Sequence, residues 1–145
     1  MEQICIRNAE FSDLEKIYTI EHESINSWTL NQFTEELGRN FSRFIVAIVS
    51  DIIAGYAVAW YVAGELQLNS IAVSNNFRRQ GIGSILLNSL ISNEFKNDIS
   101  KILIEVRKKN TDAIDFYLKN GFMIAGTRKN YYNDDDAILM EKNIS

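Results

Sequence analysis

The chain has no proline, one cysteine and one histidine in 145 residues. Without proline, a collagen-like or proline-rich scaffold is excluded. Cys5 alone cannot close an internal disulfide, so nothing points to an oxidising compartment. It sits between Ile4 and Ile6 and reads as an inert thiol. His22, in Glu21-His22-Glu23, reads as part of an exposed helix face, and a Ser/His/Asp triad would have to depend on it. No His/Cys/Asp group has metal-ligand spacing, so no metal is expected. Excess charge is also slight, with 15 basic and 19 acidic residues and a net charge of −4. That balance argues against gripping a nucleic-acid backbone over a broad surface. No run approaches the ~20 apolar residues that span a bilayer. Met1 to Arg7 has neither the basic start nor the apolar stretch of a signal peptide. The cytoplasm is the default location.

What is present is an ordinary globular composition, 46% hydrophobic and 23% charged, of a length that one domain spanning 1–145 would use. Ile4 to Ile6 reads as a first strand. Ser12 or Asp13 opens a helix with Leu14, Ile17, Tyr18 and Glu21 three or four apart. Thr29 and Gln32 form a capping-box pattern for a helix from Leu30 to Leu37, with Gly38 at its stop. Residues 44–49 and 52–62 flank a Ser50-Asp51 turn and predict a hairpin. In the next strand, Glu65 to Val73, apolar residues fall on even numbers (Leu66, Leu68) and then on odd ones (Ile71, Val73). A period-2 strand slips phase in this way at a β-bulge, placed here at Asn69-Ser70. A helix from Gly83 has Ile85, Leu86, Leu90 and Ile91 on its apolar face, and Lys101 to Arg107 is a strand. Asn110 or Thr111 caps a helix through Lys119, which Gly121 ends in a left-handed position. Phe122 to Gly126 and Ala137 to Met140 are the last strands, with Tyr131 to Asp136 as an aromatic and acidic loop between them. The order β-α-α-β-β-β-α-β-α-β-β is that of a mixed α/β fold.

Three features carry possible chemistry. Arg78-Arg79-Gln80-Gly81-Ile82-Gly83-Ser84 joins a strand to a helix, whose first N–H groups face an anion if nothing caps them. A packed, capped turn is the plain alternative. No lysine follows for a Walker loop, and Leu86 occupies the small third position of a Rossmann fingerprint. Glu105, in mid-strand with Leu103 and Arg107 on its face, is either a solvated carboxylate paired with Arg107 or a base bordering a cleft. Tyr117 is either core or a hydroxyl directed into a cleft.

Taken together these residues resemble a family. Val73 with Arg78-x-x-Gly81-x-Gly83 resembles the acetyl-CoA signature of the Gcn5-related N-acetyltransferases (GNAT). The run Leu103-Ile104-Glu105-Val106-Arg107-x-x-Asn110-x-x-Ala113-x-x-Phe116-Tyr117-x-x-x-Gly121-Phe122 is similar to the bacterial ribosomal-protein-alanine N-acetyltransferases, the RimI type. Glu21-x-x-Ser24, Trp28, Arg128-x-x-Tyr131-Tyr132 and Asp136-Ala137-x-x-Met140 extend the likeness. It implies a mixed, mostly antiparallel seven-stranded sheet with a bulged fourth strand and flanking helices. It implies acetyl-CoA as cosubstrate, held by the backbone of Ile71, Ala72 and Val73, by the amides of Arg79, Gln80, Gly81, Ile82, Gly83 and Ser84, and by Asn110. It implies Glu105 as general base, Tyr117 as general acid, and Trp28, Tyr131 and Tyr132 beside the acceptor. The acceptor would be the N-terminal alanine of a small-subunit ribosomal protein, with Asp134 to Asp136 either attracting a basic peptide or forming a solvated turn. Neither nucleic acid nor membrane takes part, and a monomer is the expectation. Ile25, Ser27 and Asn133 depart from residues common in the family, all on the acceptor side. A lysine or small-amine acetyltransferase and a non-catalytic acetyl-CoA sensor are the competing readings.

Overall fold

Stretches of alternating or β-branched residues form strands, and stretches of helical period form helices, in the order expected. The computed structural model describes residues 3–22, 28–92 and 99–144. The elements are β1 (Ile4–Asn8), a 3-10 turn (Phe11–Asp13), α1 (Leu14–Glu21), α2 (Leu30–Glu36), β2 (Ser42–Val49), β3 (Ile52–Val62) and β4 (Glu65–Val73). A second 3-10 turn (Asn75–Phe77), α3 (Ile82–Ile91), β5 (Lys101–Arg107), α4 (Thr111–Lys119), β6 (Met123–Tyr132) and β7 (Asp135–Asn143) follow. Ser24, Ile25 and Ser27 lie outside the described residues.

Local chemistry sets several boundaries. Thr29 and Gln32 close a reciprocal capping box at 3.1 and 2.8 Å, and Asn110 Oδ1 accepts the Ala113 N–H at 3.2 Å. Asp13, rather than Ser12, organises the first helix. Its carboxylate accepts from the Glu10 N–H and from both Arg7 amino groups, and the guanidinium holds the carboxyl below its usual range. Ser50 and Asp51 both have positive φ, 51° and 65°. Such a pair twists with its strands, so β2 and β3 form a two-residue hairpin. Gly121 ends α4 at φ 91° as expected, whereas Gly38 follows α2 without a left-handed φ.

The strands form one seven-stranded sheet, β1-β2-β3-β4-β5-β7-β6, antiparallel except for the parallel β4–β5 pair. One face packs against α3 and α4, with Leu66, Leu68, Ile102, Ile104 and Val106 meeting Ile82, Leu86, Leu87, Leu90 and Tyr117. Each fully buried leucine or isoleucine there contributes ~1.5–3 kcal/mol. The other face packs against α1 and α2, with Leu14, Ile17, Ile20 and Phe33 on Phe44, Val46, Tyr56 and Val58. Two expectations need correction. In α3 the buried side chains are Ile82, Leu86, Leu87 and Leu90; Ile91 is half-buried against the same core, and Ile85 lies on the flank of that stripe. The last two strands are longer than read and meet at a turn of only Asn133-Asp134, so Tyr131 and Tyr132 belong to β6, and Asp135 and Asp136 to β7. Cys5, the single thiol, is exposed on β1.

The β4 slip is a bulge. Ser70 pairs with Val58 and Leu68 with Ala59, which leaves Asn69 without a partner on β3. Leu66 and Leu68, then Ile71 and Val73, accordingly face the α3 side, while Ala72 belongs to the α1 side.

Candidate active site

The bulge sets where β4 and β5 part. Their ladder runs from Glu65↔Lys101 to Leu68↔Ile104 and stops, although β4 continues to Val73 and β5 to Arg107. Ser74 N–H donates to Ala54 O at 2.8 Å. Backbone groups alternate in direction along a strand. Ile71 and Val73 therefore turn their N–H and C=O toward the gap, and Ala72 turns toward β3. Val73 O accepts from Arg78 Nε at 3.2 Å.

Below the gap the chain makes an anion cradle. Arg79 and Gly81 adopt left-handed φ of 66° and 77°. Gly81 is the N-cap of α3 and provides no side-chain cap, so the first-turn amides stay available beside two guanidinium groups. A cleft of about 750 Å³ is lined by Ile71, Ala72, Val73, Arg78, Arg79, Gly81, Ile82, Gly83, Ser84, Asn110 and Tyr117. Gln80 is exposed and outside that lining. Gly83 has a packing role, since a Cβ there would lie 2.9 Å from Phe116 Cζ. Tyr117 is 3% exposed, edge-on to Phe116 and Phe122, and burial pushes its phenol well above the ordinary value. These residues fit a thioester-linked nucleotide: backbone groups for an extended arm, amides and arginines for a diphosphate.

A second cleft, about 540 Å³, holds Gln67, Leu68, Asn69, Leu103, Glu105, Tyr131 and Tyr132. Glu105 does not pair with Arg107 as one reading expected. Its carboxylate meets Arg128 Nη1 at 3.3 Å with 37% of the side chain exposed, and the Arg128 guanidinium lies 5.1 Å from the Tyr131 ring. Arg107 instead stacks 4.1 Å from the Tyr132 ring and pairs with Asp134 at 2.8 Å. Burial, and then the Glu105 charge, raise the Tyr132 phenol. The three aspartates are all engaged within the chain. Asp134 pairs with Arg107, which holds its carboxyl below the usual range. Asp135 accepts the Lys109 N–H at 2.9 Å, and Asp136 the Asn130 N–H at 2.8 Å. The tip of the β6–β7 hairpin is thus strapped to the end of β5. Trp28 is half-buried, 5.1 Å from Phe33 in the α2 core, and lines neither cleft.

The acetyltransferase (GNAT) family profile matches residues 7–122. The chain belongs to that family. It is 33% identical over 145 residues to the [ribosomal protein bS18]-alanine N-acetyltransferase of Escherichia coli, covering 97% of each chain. It is 33% identical to an N-alpha-acetyltransferase of Saccharolobus solfataricus, covering 94% of this chain and 91% of that one. The crystal structure of the E. coli ribosomal-protein-S18-alanine N-acetyltransferase superposes with a TM-score of 0.87 at 32% identity, over 99% of this chain and 95% of that one.

Two features of this acetyltransferase escaped the sequence reading. Arg128 entered it only as a motif position, because its contact with Glu105 joins residues on β5 and β6 and no local pattern encodes it. Beneath the bulge, the buried Tyr56 hydroxyl bonds Glu21 and lies 2.7 Å from Ser70 Oγ. Burial and the neighbouring Glu21 carboxylate push that phenol far up. The signal was available: Glu21 is a carboxylate in the apolar stripe of α1 and is 1% exposed. The network ties α1 to the strand residue that follows Asn69.

Proposed function

We propose that this acetyltransferase transfers the acetyl group of acetyl-CoA to the N-terminal α-amine of a ribosomal protein, with alanine first in the chain, by direct attack in a ternary complex. One observation carries the reading: the parting of β4 and β5 sets an anion cradle beside one stretch of the gap and a carboxylate with two tyrosines beside the other. Acetyl-CoA supplies the activated acyl group. The gap-facing groups of Ile71 and Val73 bind its arm as an added strand would, and the Val73 N–H donates to the thioester carbonyl. The amides from Gly81 to Ser84, with Arg78 and Arg79, hold the diphosphate.

An α-ammonium of pKa ~7.7–8.0 must lose a proton before it attacks, and Glu105 accepts it. Tyr117 faces the departing sulfur. Burial keeps its proton in place through the neutral range at some expense of driving force, since a thiolate of pKa ~8.5 is the weaker base. Tyr131 and Tyr132 flank the acceptor's first residues. The acceptor is met in the cytoplasm, with neither membrane nor nucleic acid engaged. The likeness to an N-alpha-acetyltransferase supports a second reading, in which N-termini other than ribosomal ones are also used.

A peptide panel tests both. Acetylation of the N-terminal alanine of a ribosomal-protein peptide is the expected result, and turnover confined to internal lysines would sink the proposal. Glu105→Gln should lower kcat by ~10²–10⁴-fold with acetyl-CoA affinity unchanged. A variant as active as wild type across the pH range removes Glu105 from the role of base.

A further inference from the structure

Among the described residues, Asn69 Nδ2 is a buried side-chain donor with no hydrogen-bond partner. Folded proteins seldom leave such a group unpaired, because its lost hydration is not returned. Asn69 is the extra residue of the β4 bulge and lines the same cleft as Glu105. The last pair of the parallel ladder is Leu68↔Ile104. One step further along each strand comes Asn69 on β4 and Glu105 on β5, where the strands begin to part, and both line the cleft. The cleft is therefore bordered by Asn69, whose amide nitrogen lies just beneath the wall without a partner, and by the Glu105 carboxylate.

An N-terminal amino-acid residue presents the complementary pair. Its ammonium donates, and the carbonyl oxygen of the same residue, joined through one carbon, accepts. A lysine side chain presents the ammonium at the end of four methylenes, with no acceptor near it. Resting on the N-terminal reading above, we infer that Asn69 is a specificity-determining residue, whose amide reads the first carbonyl of the acceptor while Glu105 takes the amine. An acceptor without that carbonyl leaves Nδ2 buried and unpaired, and a site built to hydrogen-bond a group discriminates against analogues that lack it. Neither Asn110 nor Arg128 is among the residues that line this cleft, and Arg128 pairs with Glu105 through Nη1. Among the described residues that line this cleft, Asn69 carries the buried donor without a partner.

The test compares an N-terminal alanine peptide with the same peptide carrying a trans-alkene in place of its first peptide bond. Wild-type enzyme should prefer the carbonyl-bearing peptide. Asn69→Ala should lower kcat/KM for that peptide about three- to tenfold, mainly through KM, and shrink the preference by the same factor. Asn69→Thr, which keeps a donor, should recover part of it. Acetyl-CoA affinity measured by calorimetry reports whether each variant retains its fold. Equal loss on both acceptors would assign the amide to a water or to the bulge itself and overturn the inference, as would no loss on either. The wild-type comparison stands even if a variant misfolds: no preference between the acceptors overturns Asn69's role alone. A wild-type enzyme inert toward every N-terminal peptide refutes instead the function on which the inference rests.

Discussion

Raising the pH above about 10 should destabilise this chain through two identifiable hydroxyls. Tyr56 is 0% exposed and Tyr117 3%, and burial raises both phenols above the ordinary value, with the Glu21 carboxylate adding to the effect on Tyr56. In the unfolded chain each ionises near pH ~10. The folded state then holds protons that the unfolded state gives up, so this part of the stability is complete below about pH 10 and is lost as pH rises further. At pH 11, an unfolded-state pKa of ~10 corresponds to a loss of about 1.4 kcal/mol per tyrosine. Urea denaturation followed by circular dichroism, at pH values between 8 and 11, measures it. Tyr117→Phe should lose about 1.4 kcal/mol less over that range than wild type. Tyr56→Phe should show the same shallower slope, but from a starting stability lower by ~1.5–3 kcal/mol, because Glu21 loses a hydrogen bond to a charged group. Absorbance at 295 nm gives an independent check. Of the six tyrosines, these two should stay un-ionised until the chain unfolds. If Tyr117→Phe loses stability as steeply as wild type, the reasoning fails.

Two further substitutions probe the walls of the site. At Gly81 a Cβ would meet no atom within 4 Å, yet φ is 77°, so Gly81→Ala should cost ~1–2 kcal/mol through the backbone alone, with Gly81→Asn recovering part; an unchanged Tm in both variants would refute this. Asp136→Ala removes the acceptor of the Asn130 N–H and should raise the peptide KM severalfold without altering the KM for acetyl-CoA. An equal rise in both would mean that the two clefts are not separable.

Much of this was legible because the determinants are local. The Thr29–Gln32 box, the Asn110 cap, the Gly121 stop and the Ser50-Asp51 turn each depend on residues within a few positions of one another. The β4 bulge was legible too, since a slipped alternation is itself a local pattern. What failed depends on partners distant in the chain. Tyr131 and Tyr132 look like loop residues until β7 pairs with β6, and Lys109 holds the aspartates that follow them. Arg107 is the nearest cation to Glu105 in sequence, but stacking on Tyr132 and pairing with Asp134 draw it away and leave the carboxylate to Arg128. The apolar face of α3 is wider than the sequence suggested: Ile82 and Leu87 join Leu86, Leu90 and Ile91 against the sheet, and Ile85 lies on its flank. Trp28 was assigned by resemblance, and it rests half-buried against Phe33.

The bulge in β4 also has a meaning as chain length. Strike Asn69 from the written sequence, and Leu66, Leu68, Ile71 and Val73 fall into unbroken alternation, the pattern of a plain strand that can pair along its whole length. A regular mixed sheet and a sheet with a binding gap thus differ by one residue. A substitution at Asn69 changes the side chain beside the gap, whereas its deletion changes the register that opens it. Deletion of Asn69 from this chain is accordingly expected to let the β4–β5 ladder run on past Leu68↔Ile104 and close the gap.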